Sequence, residues 1–294
     1  MSPLVLAALL LYTLLAGATF LVAHVTVREF DPLALAQLRF VLAASALIVL
    51  VVARRGAGAG LAALVPPRGL RLRVLGLGVM GTTLNQGLFL FGMAHTTPAH
   101  ASLLYATTPL MVLVLALARG QERLVPLRTA GMGLAFAGVA FLLFGRGLHD
   151  GGATLLGDTL VFAAVIAWAG YTAGSRELLA HLDPLALTAA ATVMGAIVFL
   201  PVGVPAVLAQ DWSRISGRGW FGLAYIGLVT SVVSYLIWSW ALARTEASRV
   251  AVFTNLQPIA AALLAWAILG MPLTLHFAAS AAIVLVGVAL AERR

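Results

Sequence analysis

Four amides and six ring-bearing side chains interrupt otherwise apolar sequence: Asn85, Gln86, Asn255 and Gln257, with Tyr12, Tyr105, Tyr171, Tyr235, Trp168 and Trp238. None of these groups ionises near neutral pH, so the chemistry open to them is recognition. Amides donate and accept, phenols do both, and indoles donate. Rings with polar tips beside uncharged amides make a pocket for an organic solute that has both apolar and hydrogen-bonding parts. In lipid an unpaired amide is costly, so each of the four must either join helices or meet a solute.

Two prolines sit in the middle of apolar runs of helical length. Pro109 lies within Pro98 to Ala118, beside Ser102, Tyr105, Thr107 and Thr108. Pro258 lies within Ser248 to Leu269, just after Thr254, Asn255 and Gln257. A proline inside a helix lacks its N–H and displaces the carbonyl four residues earlier. The expected free carbonyls are those of Tyr105 and Thr254. Deep in a bilayer a free carbonyl is tolerable only against protein or a wet cavity, so both breaks point to a pathway at the membrane centre.

The 294 residues are 62% hydrophobic and 10% charged, with a mean hydropathy of +1.05, which places the chain among integral membrane proteins. The net charge of +8 comes from 18 arginines and no lysine. These lie in short connections and form no stripe that could track phosphates, so no nucleic-acid partner is expected. Cysteine is absent, which excludes disulfides and thiolate chemistry. Gly76-Leu77-Gly78-Val79-Met80-Gly81 matches GxGxxG, but no strand precedes it and no acid follows at the required distance. It reads as a close-packing helix face. No HExxH, GxSxG or P-loop occurs; no catalytic residue, metal ligand or cofactor is expected.

With about 20 apolar residues per crossing, ten helices are expected at about 3–23, 32–53, 70–94, 98–118, 127–145, 154–175, 184–205, 219–242, 248–269 and 273–291. The stretch Gly56 to Gly60 and Pro66-Pro67 reads as a flexible loop, and Gly145 to Gly152 splits the chain nearly in half. A cytoplasmic N-terminus puts thirteen arginines in inner connections and four (Arg28, Arg146, Arg214, Arg218) in outer ones, which predicts both termini inside.

Asp31-Pro32-Leu33-Ala34-Leu35 returns unchanged at 183–187, and an offset of 149 lays Gly78 on Gly227, Thr96 on Thr245, Pro109 on Pro258 and Gly138 on Gly287. Residues 1–147 and 148–294 therefore read as two five-helix repeats. Five is odd, so the second repeat is inverted in the membrane, an arrangement that builds two gates around one central site. Side chains at steps of three and four share a helix face. Such faces are Tyr12, Ala16 and Thr19 on the first helix, Gly78, Thr82, Asn85 and Phe89 on the third, and Ser102, Tyr105 and Pro109 on the fourth. Their counterparts are Trp168 and Tyr171 on the sixth, Ser231, Ser234 and Trp238 with Tyr235 on the eighth, and Thr254 and Pro258 with Asn255 on the ninth. The fifth and tenth helices are plain and peripheral. Arg39 is the one charge well inside a helix, open to a solute carboxylate, to backbone carbonyls or to snorkelling; its equivalent is Ala191. No carboxylate lies mid-run, which argues against proton exchange for organic cations.

Ten crossings in a 5 + 5 pattern, Arg39-Phe40 in the second helix, Thr107-Thr108-Pro109-Leu110 followed by Gln121-Glu122-Arg123, and Gln257-Pro258 together resemble the drug/metabolite transporter superfamily, in its EamA-type branch. Met271 departs from the acidic residue that often matches Glu122. The resemblance implies an all-α carrier of a bacterial inner membrane, monomeric or homodimeric, with a cavity between helices 1, 3, 4, 6, 8 and 9. It also implies export of amino acids or related small metabolites by alternating access. The expected substrate-binding residues are Tyr12, Thr19, Asn85, Gln86, Tyr105, Pro109, Trp168, Tyr171, Tyr235, Trp238, Asn255, Pro258 and Arg39. The competing readings are a multidrug carrier, a sugar-phosphate or nucleotide-sugar antiporter, which would want several cations in the cavity, and a non-transporting scaffold or receptor.

Overall fold

The structure, a computed structural model, describes residues 1–144, 154–269 and 275–292, and every regular element among them is helical. The Gly145 to Gly152 divide and Met271 lie outside the described residues. The chain opens with α1 (Pro3–Thr26) and α2 (Pro32–Arg55). The start signals are local: proline at the first helical position with a side-chain acceptor before it. Ser2 caps α1, and the Asp31 carboxylate accepts from Leu33 N and Ala34 N to cap α2. The same device returns at Thr97-Pro98 and Asp183-Pro184, starting α6 (Pro98–Tyr105) and α10 (Pro184–Ala209).

The glycine-rich stretch read as a flexible loop contains a short helix, α3 (Ala57–Ala63). Its alanines are strong helix formers, and Gly60 lets the turn close against the backbone of Val52. Beyond it the third membrane segment is composite: α4 (Arg71–Gly78), a π-helical stretch Val79–Leu84, and α5 (Asn85–Met93). The eighth predicted segment has the same build, with α11 (Gly217–Ala224), a π-helical stretch Tyr225–Ser234 and α12 (Tyr235–Leu242). Between these lie α7 (Thr108–Ala118), α8 (Pro126–Phe144) and α9 (Leu155–Leu178). The described chain ends with α13 (Ala247–Ala251), a 3₁₀ stretch Val252–Leu256, α14 (Gln257–Leu269) and α15 (Leu275–Glu292).

Eight helical segments among the described residues are long and apolar enough to cross a membrane, and Pro126–Leu142 is a shorter apolar helix. The protein is a multi-pass membrane protein. α2, at about 1.5 Å per residue, carries the chain about 36 Å from one end of the bundle to the other. At the end holding Arg55, ion pairs join Arg55 to Asp183 and Arg73 to Glu177. At the end holding Asp31, the Glu29 carboxylate accepts from Ser216 N at 2.7 Å, and Gln210 Oε1 accepts from Asp31 N at 2.8 Å.

Glycine permits two close helix crossings. Gly78 and Gly195 bring α4 and α10 into backbone contact; Gly131 and Gly287 do so for α8 and α15. The second pair stands at the edge of the bundle, as expected of the fifth and tenth helices. A side chain at Gly287 would run into the Ala135 backbone, whereas Gly133, on the same helix as Ala135, faces open space. Gly287→Leu is therefore expected to lower the melting temperature of the detergent-solubilised protein by several degrees, from an overpacking cost of about 1–3 kcal/mol. Gly133→Leu should leave it unchanged.

Candidate functional site

Midway along the helices a cavity of about 470 Å³ opens between the two halves of the chain. Tyr12, Ala16, Thr19 and Phe20 come from α1, and Asn85, Gln86 and Phe89 from α5. Tyr105 ends α6, Trp168 belongs to α9, Thr230 and Ser234 to the second π stretch, Tyr235 to α12, and Gln257 starts α14. Only about 50 Å³ of that space admits the centre of a water molecule, room for about three or four waters. Any larger solute must push the rings apart.

The polar lining is wired together. Asn85 Nδ2 donates to the Tyr105 hydroxyl and to the Ala164 carbonyl, both at 2.8 Å. Gln86 Nε2 donates to Asn85 Oδ1 and, at 2.5 Å, to the Tyr235 hydroxyl, which itself donates to the Gly81 carbonyl at 2.8 Å. Gly81 lies in the π stretch, so a cavity side chain is anchored on backbone of altered pitch. Across the cavity Thr19 and Thr230 share a hydroxyl–hydroxyl bond of 2.9 Å, and Gln257 Nε2 donates to the Tyr12 hydroxyl at 3.3 Å. Each of these two bonds joins the first half of the chain to the second.

Rings close the cavity on both sides. Toward the Arg55 end, Trp168 stacks on Tyr171 at 5.2 Å and lies 5.1 Å from Tyr235 and 5.3 Å from Trp238, while Tyr12 meets Trp238 at 4.7 Å. Toward the Asp31 end, Phe20, Phe89 and Tyr105 meet edge to face at 5.5–5.8 Å.

Of the residues expected from sequence, Tyr12, Thr19, Asn85, Gln86, Tyr105, Trp168 and Tyr235 line the cavity. Tyr171 and Trp238 stand behind Trp168. The Trp238 indole donates to Thr172 at 3.2 Å, and the Tyr171 hydroxyl lies among Ser175, Thr188 and Ser239. Pro109 and Pro258 are buried in protein but outside the lining. The Thr254 carbonyl expected to be free accepts from Gln257 N, because the chain tightens to a 3₁₀ turn just before the proline. Asn255 is fully buried beside the cavity segment, and neither its amide nitrogen nor its amide oxygen has a partner among the described residues. Arg39 is buried behind the wall, with Nε donating to Ser231 Oγ at 2.7 Å. Phe20, Thr230, Ser234 and Gln257 line the cavity and were not among the expected site residues.

A polar, ring-walled chamber enclosed by helices from both halves of a multi-pass membrane protein is the form of a solute carrier. The EamA-like transporter family model matches residues 3–144 and again 155–292. The chain belongs to this family and is a membrane transporter. The Bacillus subtilis protein named Uncharacterized transporter YyaM is 28% identical, covering 95% of this chain and 90% of the relative. An uncharacterized transporter of Archaeoglobus fulgidus is 30% identical over 88% and 86% of the two chains. A solved crystal structure of a protein 21% identical in sequence has the same fold, with a TM-score of 0.77 over 98% of this chain and 95% of that one.

Tyr235→Phe removes the hydroxyl that pairs both Gln86 and the Gly81 carbonyl. Losing these two buried bonds, with Gln86 still paired to Asn85, should destabilise the protein by about 1–3 kcal/mol. Thermal unfolding in detergent is expected to show a lower midpoint, and an unchanged midpoint would mean that water takes over both bonds.

Proposed function

We propose that this transporter exports amino acids or related small metabolites across a bacterial inner membrane by alternating access. In this reading ten crossings form two inverted five-helix repeats, residues 1–147 and 148–294, with both termini cytoplasmic. The observation that carries it is the mid-depth cavity, which draws hydrogen-bonding groups and rings from both halves and is bounded by a ring cluster on each side.

Several features support the repeat. The family model matches the chain twice, in stretches of similar length. The two π-helical stretches, Val79–Leu84 and Tyr225–Ser234, overlap once the offset of 149 is applied, since 79–84 falls on 228–233. Asp31 and Asp183 cap their helices in the same way. The inner-end assignment is supported by the arginines: Arg54, Arg55, Arg71, Arg73 and Arg176 cluster at the end joined by the Arg55–Asp183 and Arg73–Glu177 pairs.

Tyr12, Thr19, Asn85, Gln86, Tyr105, Trp168 and Tyr235 touch the solute, with Ser234 and Gln257. Tyr171 and Trp238 back the inner ring cluster and set its rotamers. Pro109 and Pro258 act through the shape of the backbone, and Asn255 offers its unpaired amide when the ninth segment turns during the cycle. The chamber's limited room and neutral donors and acceptors suit a small zwitterion better than a bulky lipophilic cation, for which no carboxylate is among the lining residues.

Counterflow of the twenty common amino acids into proteoliposomes tests the reading, with at least one expected to exchange. Tyr105→Ala should lower that flux at least ten-fold in protein that still elutes as a single species. Because the chain has no cysteine, Ser234→Cys should react with a small thiol reagent and be protected by the transported solute, while Val288→Cys, which is buried in the α15 packing, should not react. Equal labelling of both would remove the cavity as a water-filled chamber.

A further inference from the structure

Arg39 is fully buried on α2, seven residues in from Pro32 and so about 10 Å along the helix. Its Nε is held by Ser231, which in turn donates to the Ile226 carbonyl at 2.9 Å. Both terminal nitrogens, Nη1 and Nη2, are buried and have no hydrogen-bond partner among the described residues. The described acidic residues all stand at helix ends or in connections, and none pairs with Arg39. A buried guanidinium without a counter-charge is among the most costly groups a protein can hold, and it is normally found paired with a carboxylate or phosphate.

The position of this charge is specific. Ser231 follows Thr230 and precedes Tyr235 by four residues, and both of those line the cavity. The Tyr105 and Tyr235 hydroxyls belong to the polar network of that wall, joined through Asn85 and Gln86. The fixed charge therefore stands one side chain behind the wall, with its two free donors uncommitted. Low-dielectric surroundings make its field strong at that distance.

We propose that Arg39 is the counter-charge for a solute carboxylate, so that the cavity selects cargo bearing one carboxylate and the guanidinium forks onto it when the Tyr105–Tyr235 wall parts. This deepens the carrier reading of the same cavity and rests on it. Geometry favours a carboxylate over a neutral acceptor, because the two unpaired nitrogens match its two oxygens and its charge offsets the buried cation. A single arginine matches a monoanion; a phosphate-bearing solute would leave charge unmatched.

Six probes separate charge from shape: L-phenylalanine and L-leucine, their amides, which keep the ammonium and lose the carboxylate, and phenethylamine and isoamylamine. Binding is read as the rise in melting temperature, and transport as counterflow, in wild type, Arg39→Met and Arg39→Lys. The expected result is that at least one amino acid binds and moves in wild type, at least ten-fold better than its amide or amine. Arg39→Met should fold and bring acid and amide within about two-fold of each other, while Arg39→Lys keeps a preference for the acid. Replacing the chloride salt with sucrose should not abolish the preference, which separates a solute carboxylate from a resident inorganic anion. Amides or amines moving as well as acids in wild type would overturn the proposal and leave the carrier reading intact, as would undiminished discrimination in Arg39→Met. No binding and no movement for any of the six would overturn the proposal, and the carrier reading falls with it if none of the twenty common amino acids exchanges either.

Discussion

Inside a hydrocarbon slab, a backbone N–H or C=O that leaves the helical ladder can be satisfied only by another part of the protein. Four membrane segments of this chain break their ladders: at Val79–Leu84, between α6 and α7, at Tyr225–Ser234 and at Val252–Leu256. Each break is met by a hydroxyl. Tyr235 donates to the Gly81 carbonyl, Thr107 to Leu104 at 2.6 Å, Ser231 to Ile226, and Thr13, from α1, to Phe253 at 3.4 Å. These segments supply much of the cavity wall. The cavity exists where it does because irregular backbone needs polar company, and polar side chains brought together at mid-depth leave a place that a solute can share.

That dependence ties stability to function. Thr19 with Thr230 and Tyr12 with Gln257 hold the two halves together across the chamber by bonds a solute could replace. With the Gln86–Tyr235 and Tyr235–Gly81 bonds these are modest contacts, each worth about 0.5–1.5 kcal/mol net, whereas the α8–α15 contact at the periphery is a close backbone packing that lies outside the cavity lining. The soft joints line the chamber and the stiff ones lie outside it, which suits rigid-body motion of one half against the other.

The sequence makes the helices and most of the wall legible, because hydropathy, proline–cap signals and three–four spacing all act locally. Tyr12, Thr19, Asn85 and Trp168 follow from that spacing. Where the helix is not α, the spacing misleads. In the Tyr225–Ser234 stretch the wider π turn alters the angular step, so the face that the α-spacing assigns to Ser231 goes to Thr230, and Ser231 turns to Arg39. In the 3₁₀ stretch each residue advances about 120° rather than about 100°, so Gln257 reaches the cavity and Asn255 does not. Sequence gives little sign of these local changes of pitch, since π and 3₁₀ turns here are imposed by packing. Gly60, among alanines, shows the reverse case: a stretch that looked like a loop is helical because its one close approach is to its own neighbouring helix.

The repeat proposed from the sequence does not extend to the buried charge. The residue that the repeat sets opposite Arg39 is Ala191, on α10, and its carbonyl is in the close contact that Gly78 makes with that helix. Ala191 is itself buried, so the tight α4–α10 crossing is made beside a small residue. On α2 the matching space is filled instead by the guanidinium and Ser231, next to Gly227, whose missing side chain makes room for Leu42. The two halves thus use equivalent glycines differently: Gly78 brings backbones together, and Gly227 admits a side chain from the helix that bears the charge. In the proposed repeat, the two halves would then match at their glycines and differ at the single buried arginine of α2.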